Sequence, residues 1–326
     1  MPAGPAFLIT IDTEGDNLWS APETITTENS RFLQRFQHLS EHYGFLPSWL
    51  TTYEMAQCKT YRAIAETYLH RGTGELGMHL HAWNSPPLDY ALTTDDSHTL
   101  PYLIEYPEEV MEQKIIYLTE LLGDQFGTRP RSHRAGRWAM DTRYAKLLAA
   151  NGYVVDCSVT PGISWTDSKG DPNGKGGTDY RGFSDRPYRI DLEHIDREHD
   201  ESPLWEIPMT IVKGPGMKFR RAVDHLPRLA RRVTNRLVPP AHWLRPNGRN
   251  LKSMLSILDF VLEEDRPCVE FMLHSSELMP GGSPKFESVE SIEKLYADLH
   301  VLFEAARRSF RGATLTAFTQ SLTSSQ

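Results

Sequence analysis

Apolar positions along the 326-residue chain fall into short runs separated by helical stripes. The runs AFLITID (6–12), LPSWLTT (46–52), LGMHLHA (76–82), GYVVDCSV (152–159), LWEIPMTIV (204–212), CVEFMLH (268–274) and ATLTAF (313–318) read as strands. Between them, Met111, Ile115, Leu118 and Leu122 repeat at 4-3-4 spacing behind Pro107, whose fixed φ suits a first helical position. Ile292, Leu295, Leu299, Leu302, Phe303 and Ala306 trace a second apolar stripe. Strands alternating with helices predict an α/β fold with a mostly parallel sheet and helices outside it. Seven or eight such units predict a (β/α) barrel rather than an open sheet, as one catalytic unit over 1–326.

In such barrels chemistry gathers at the C-terminal ends of the strands. The polar residues closing the runs are Asp12, Glu14, His79, His81, Arg134, Asp156, Glu206 and His274. Two segments interrupt the pattern. Residues 166–188 are dense in Gly, Pro, Asp and Ser and predict a long loop, of a kind that is often functional. Residues 213–252 place Lys213, Lys218, Arg220, Arg221, Arg228, Arg231, Arg232, Arg236, Arg245, Arg249 and Lys252 against the single acid Asp224, and 213–250 reads as an insertion.

Composition changes this picture little. With 39% hydrophobic and 24% charged residues the chain is an ordinary globular one, and a net charge of −8 excludes general nucleic-acid binding. Cys58, Cys157 and Cys268 form no CxxC pair and read as reduced core cysteines. The N-terminus shows no basic, apolar and cleavage regions of a leader, and no apolar run nears the ~20 residues of a membrane span. The expectation is a soluble cytoplasmic protein.

The candidate chemistry lies at two strand ends. Side chains at i and i+2 of a strand share a face, so Asp12 pairs with Glu14 and His79 with His81. Acids closing a buried strand are costly unless paired or metal-bound. A His-x-His pair with one carboxylate is a donor set for a catalytic Zn²⁺ site. His38 and His42 also have a legal metal spacing in a helix, but no strand-end carboxylate accompanies them, and they read as surface residues. His133 has the opposite parity to Arg134 and reads as structural.

TIDTEGD, GELGMHLHAW, RSHRAGRW, YVVDCSV, LWEIPMT and FMLHSSE follow one another in the order of the polysaccharide deacetylase motifs. Over roughly residues 6–280 the chain resembles the NodB-homology superfamily, carbohydrate esterase family 4. The resemblance implies a distorted (β/α) barrel and removal of N-acetyl groups from an amino-sugar glycan. It implies a divalent cation, Zn²⁺ first, with Co²⁺, Ni²⁺ or Mn²⁺ as alternatives. Carried over residue by residue, it makes Asp12 the catalytic base, Arg134 the residue that orients it and His274 the general acid. Glu14 and His79 become metal ligands. The family spaces its motif histidines H-x3-H; here Trp83 stands at the fourth position, and His81 takes the role of second histidine. Asp156 and Trp205 fall near the variable fourth motif as substrate contacts. In this scheme the cation acidifies water and polarises the acyl oxygen, and a backbone N–H after Arg134 helps hold the oxyanion.

Trp83, Trp138 and Trp165 are candidates to stack on sugar rings. A cytoplasmic member would act during surface-polysaccharide assembly, on a nucleotide-linked or lipid-linked N-acetyl sugar, and the basic 213–252 segment would meet a diphosphate or an anionic membrane surface. Two alternatives stand beside this: hydrolysis of another C–N bond, as in allantoin-type ring amides, and a non-catalytic glycan-binding member.

Overall fold

A computed structural model describes residues 4–214, 230, 234 and 241–324. The strands are β1 Ala6–Thr13, β2 Pro47–Thr51, β3 Glu75–Leu80, β4 Ser132–Ala135, β5 Val155–Asp156, β6 Tyr188–Arg189, β7 Trp205–Glu206, β8 Ile211–Lys213, β9 Ala241–Trp243, β10 Cys268–His274 and β11 Arg311–Ala313. The helices are α1 Leu33–His42, α2 Tyr53–Gln57, α3 Lys59–Arg71, α4 Asp96–Thr99, α5 Glu108–Phe126, α6 Thr142–Ala150, α7 Leu251–Glu263, α8 Val289–Ala306 and α9 Leu315–Thr323. Both apolar stripes read from the sequence are helices, α5 and α8. Helix α5 starts directly after Pro107, carries Glu108 and Glu109 in its first turn, and ends on Gly127 at φ 66°, a left-handed cap that suits glycine.

Eight strands follow one another in the order β10-β1-β2-β3-β4-β5-β7-β6, and β11 pairs with β1 as a side branch. All these pairings are parallel except β6 with β7. This is the mostly parallel barrel that the alternation predicts, with the distortion that the family resemblance implies. Its distortion is local. Between β7 and β10 there is no strand ladder among the described residues; single bonds span the gap instead, Glu270 N–H to Thr210 Oγ1 at 2.8 Å, Leu244 N–H to the Thr210 carbonyl at 3.1 Å, and Met272 N–H to the Leu244 carbonyl at 3.2 Å.

Every residue of β1 is buried, and the alternation sorts them. Phe7, Ile9 and Ile11 face the helices in the main core. There Phe7 stacks on Phe45 at 4.6 Å and meets Phe303 edge-on at 5.7 Å, each such side chain contributing ~1.5–3 kcal/mol by burial. Ala6 and Leu8 face inward, into a second core with Leu50, Val155, Trp205, Cys268 and Phe318. Further along the same inward face come Thr10, Asp12 and Glu14. Strand β10 lies in register so that Asp12 pairs with His274. The inner face is therefore apolar where the strands begin and polar where they end.

Three strand boundaries differ from the sequence reading. The run 313–318 is not a strand: β11 stops at Ala313, Thr314 Oγ1 caps Ala317 N–H, and α9 begins. The run 152–159 narrows to two residues because the Asp156 carboxylate turns back to accept from Ser158 N–H at 2.9 Å. Pro208 splits 204–212 into β7 and β8. The four-residue β4, inside RSHRAGRW, is too short and polar to show as an apolar run. None of the three cysteines is in a disulfide. No helix among the described residues is long and apolar enough to cross a membrane. Most of the basic insertion, with Lys218, Arg220, Arg221, Arg228, Arg231, Arg232 and Arg236, lies outside the described residues.

Candidate metal centre and cavity

The C-terminal ends of β1, β3, β4 and β10 open into a cavity of about 370 Å³. Asp12, Glu14, His79, His81 and His274 line it, with Trp19, Trp83, Trp138, Trp165 and Tyr102 as walls. Glu14, one residue beyond β1, keeps the parity of Asp12. Its loop is fixed by Ser275, whose Oγ accepts from Glu14 N–H and donates to the Glu14 carbonyl, both at 3.0 Å, and by Asn29 Nδ2, which donates to the same carbonyl at 2.9 Å.

Glu14 Oε2 lies 3.7 Å from His79 Nε2 and 3.5 Å from His81 Nε2. These separations are too long for hydrogen bonds. They are near the ~3.4 Å edge of a tetrahedron with ~2.1 Å metal–ligand bonds. All three donor atoms lie within 4.8 Å of one another and are buried. His79 Nδ1 is 2.9 Å from the Arg134 carbonyl oxygen. A carbonyl only accepts, so Nδ1 carries a proton, and Nε2 is the ring nitrogen turned to the cavity, where a metal ligand would present its lone pair. Burial lowers the His79 pKa, but Asp12 and Glu14 outweigh it and raise it, so a cation bound at Nε2 would take the place of a proton. Burial pushes the His81 pKa well below the ordinary imidazole value, with His79 acting in the same direction, so its ring is neutral. His81 stacks on Trp83 at 4.3 Å. The donor set fits a Zn²⁺-class cation.

Beside this cluster, Arg134 is fully buried and held on four sides. It donates from Nη1 to Asp12 Oδ1 at 2.6 Å, from Nη2 to Thr10 Oγ1 at 2.8 Å and to Glu270 Oε1, and from Nε to the Cys157 carbonyl at 3.0 Å. Burial alone would raise the Asp12 pKa, but the Arg134 guanidinium bonded to it holds it well below the usual carboxylate range. Asp12 is thus ionised, with Oδ1 occupied by Arg134. Its Oδ2 lies 3.9 Å from His79 Nε2 and 3.6 Å from His274 Nε2. Arg245 Nη2 donates to His274 Nδ1 at 2.7 Å, which makes Nδ1 an acceptor and puts the neutral ring's proton on Nε2. Arg245 also meets Glu277 Oε1 at 3.1 Å, and Glu277 Oε2 accepts from His274 N–H at 2.9 Å.

No family model matches the sequence, and no curated protein matches it. Solved structures match along nearly the whole chain. A Mycobacterium smegmatis protein classed as a polysaccharide deacetylase is 13% identical with a TM-score of 0.54, covering 100% of this chain and 93% of its own. A Parabacteroides distasonis protein classed as a glycoside hydrolase/deacetylase is 11% identical with a TM-score of 0.63, covering 99% and 72%. The allantoinase Puue is 12% identical with a TM-score of 0.53, covering 98% and 90%. The chain has a polysaccharide-deacetylase fold.

On this deacetylase fold the structure brings together Asp12, Glu14, His79, His81, Arg134 and His274, with Trp83, Trp138 and Trp165 on the cavity. It does not bring Asp156 and Trp205 there. Asp156 is fully buried, 2.6 Å from His133 Nδ1, and accepts from Ser158 Oγ at 2.9 Å; it braces β4 and β5 rather than facing a substrate. Trp205 packs in the second core with Ala6 and Cys268, the first residues of β1 and β10. Glu206 is buried as well and accepts from Val159 N–H at 2.9 Å. The Ala135 N–H, proposed for the oxyanion, is already donated to Ser158 Oγ at 2.8 Å. His133 is structural, its Nε2 2.7 Å from Tyr144 Oη.

Four residues at the site were missed. Glu270, on the same face of β10 as His274, is the second carboxylate on Arg134; burial pushes its pKa up to about 7 despite that cation. Glu54 ties the two ligand loops together, accepting from Gly15 N–H at 2.7 Å and Asn84 Nδ2 at 2.8 Å. Arg245, counted only within a basic run, fixes the His274 tautomer. Gly136 leaves room for His81: a Cβ there would lie 2.5 Å from His81 Cδ2 and 2.4 Å from the Leu80 carbonyl oxygen.

Proposed function

We propose that the chain is a metal-dependent carbohydrate N-deacetylase. The observation that carries this reading is the Arg134-clamped Asp12 carboxylate standing between a Glu14–His79–His81 donor set and the Nε2–H of His274. Glu14, His79 and His81 would hold a Zn²⁺-class ion, which would supply Lewis acidity to the acyl oxygen and to water. Asp12 accepts the proton of the attacking water at Oδ2, because Oδ1 is engaged and Arg134 keeps the group ionised. His274 gives its Nε2 proton to the departing amine and takes the proton held by Asp12 back at the same nitrogen, 3.6 Å from Asp12 Oδ2, so that the ring ends neutral and the carboxylate ionised, with Arg245 fixing the ring from behind. Tetrahedral collapse then releases acetate and a free amino sugar. Trp83, Trp138 and Trp165 exclude water and offer flat faces for a sugar ring.

The whole chain acts as one catalytic unit in this reading. The substrate is an N-acetylated amino sugar in a glycan or in its nucleotide- or lipid-linked precursor, handled in the cytoplasm during surface-polysaccharide assembly. A second reading, hydrolysis of a cyclic amide, is favoured by the structural match to an allantoinase. A panel of N-acetylated saccharides and cyclic amides, with and without chelator, separates the two. Chelator-sensitive acetate release supports deacetylation; ring opening without acetate release supports the second reading. The Asp12–Arg134–His274 set argues against a pure binding module, which needs no buried base.

A further inference from the structure

One wall of the cavity carries, at Arg137, a positive charge that no carboxylate among the described residues pairs with. Arg137 and Trp138 follow β4 with φ of 55° and 65°. Two adjacent non-glycine residues in the left-handed region are strained, and such strain clusters at functional positions. Here it turns Arg137 onto the cavity wall, where the guanidinium is clamped. It stacks over Tyr102 at 4.2 Å, and donates from Nη1 to the Leu100 carbonyl and from Nη2 to the Lys169 carbonyl at 3.1 Å. Among the described residues two of its five N–H donors are so used, and three remain.

No carboxylate among the described residues forms an ion pair with Arg137. Glu105, which does not line the cavity, accepts instead from Tyr102 N–H at 2.8 Å and Asp171 N–H at 3.0 Å. The other cation of the cavity differs: Arg245 is matched by Glu277 at 3.1 Å. A rigid, half-buried, uncompensated guanidinium framed by Tyr102, Trp138 and Trp165 is suited to a ring bearing negatively charged oxygens, which a planar fork binds better than a point charge does.

We propose that Arg137 anchors a subsite for an anionic group, a carboxylate or a phosphate, carried next to the N-acetylated ring. This rests on the deacetylase reading for the identity of that ring. The substrate is then an acidic or phosphate-linked amino sugar rather than a neutral glycan.

The test uses the full chain and three ligands: a neutral N-acetylglucosamine tetrasaccharide, a tetrasaccharide alternating N-acetylglucosamine with glucuronate, and UDP-N-acetylglucosamine. Binding is read by tryptophan fluorescence, and acetate release in parallel. The expected result is about tenfold tighter binding of one anionic ligand over the neutral one, the carboxylate and phosphate arms identifying the source of the charge. That ratio should fall toward one in Arg137→Gln, survive in part in Arg137→Lys, and shrink for the wild-type protein on raising salt from about 0.05 to 0.5 M. The salt series needs no variant to fold. A wild-type ratio near one, or a ratio indifferent to both salt and Arg137→Gln, overturns the subsite. Acetate release with no charge preference would overturn the subsite and leave the deacetylase reading standing. Charge-selective binding with no acetate from any ligand would do the reverse.

Discussion

Replacing Arg134 by Met removes a cation that touches two carboxylates and keeps a side chain of similar length. Asp12 then remains 2% exposed with no cation bonded to it. Breaking a buried pair from one side costs ~3–5 kcal/mol, because the surviving charge is stranded. That is a large share of a total stability of ~5–15 kcal/mol. The reverse change, Asp12→Asn, costs less, because Arg134 keeps Glu270, Thr10 and the Cys157 carbonyl as partners. The double variant Arg134→Met/Asp12→Asn should therefore be more stable than Arg134→Met alone, by ~1–3 kcal/mol, since it discharges the stranded carboxylate. Urea unfolding at pH 7 of the four proteins closes this cycle. The pH profile gives an independent reading. In the wild type the depressed Asp12 pKa stabilises the fold above the unfolded value of ~3.9, and this contribution disappears as pH falls through the folded value. Without Arg134, burial dominates and lifts the Asp12 pKa, so the acid limb of activity moves to higher pH. An Arg134→Met protein destabilised by under ~1 kcal/mol, or a double variant as unstable as the two losses summed, would refute the clamp.

Gly136→Ala should lower metal affinity at least tenfold by pushing against His81, measured by competition with a chromogenic chelator; unchanged affinity would show that His81 is not a ligand. Glu270→Gln should alter the pH dependence of stability. Between about pH 4.3, its unfolded value, and its folded value of about 7, native Glu270 holds a proton that the unfolded chain has released. Wild-type stability relative to the variant should therefore fall with rising pH across that window, by at most ~1.4 kcal/mol per unit. A flat difference curve would remove Glu270 from the network.

What the sequence made legible was parity. Asp12 with Glu14, and His79 with His81, could be placed on shared faces because a strand repeats every two residues, and a buried apolar run leading into acids is itself unusual. Glu270 obeyed the same rule, two and four residues before Met272 and His274, but a single acid inside CVEFMLH looks like an interruption rather than a site residue. Arg245 and Glu54 left no such trace; their roles depend on loops that meet only in the folded chain. Asp156 closes a run and falls near the fourth motif, which places it among the expected substrate contacts, and yet it turns back onto Ser158 and His133. Strand ends are ambiguous in that respect: a local hydrogen bond that no apolar pattern encodes turns the last residue away from the cavity. The same holds for Thr314, where a helix cap replaced the expected strand.

The central claim is that Glu14, His79 and His81 hold a cation while Asp12 acts beside it. Metal content after dialysis against Zn²⁺ tests it most directly, determined by elemental analysis on purified wild type, Asp12→Asn and Glu14→Ala, with acetate release measured on the same samples. The expected result is one equivalent in wild type and in Asp12→Asn, with turnover lost in the latter by at least ~10²-fold, and little metal in Glu14→Ala. Equal metal in all three, or full activity in wild type stripped of metal, would contradict the account.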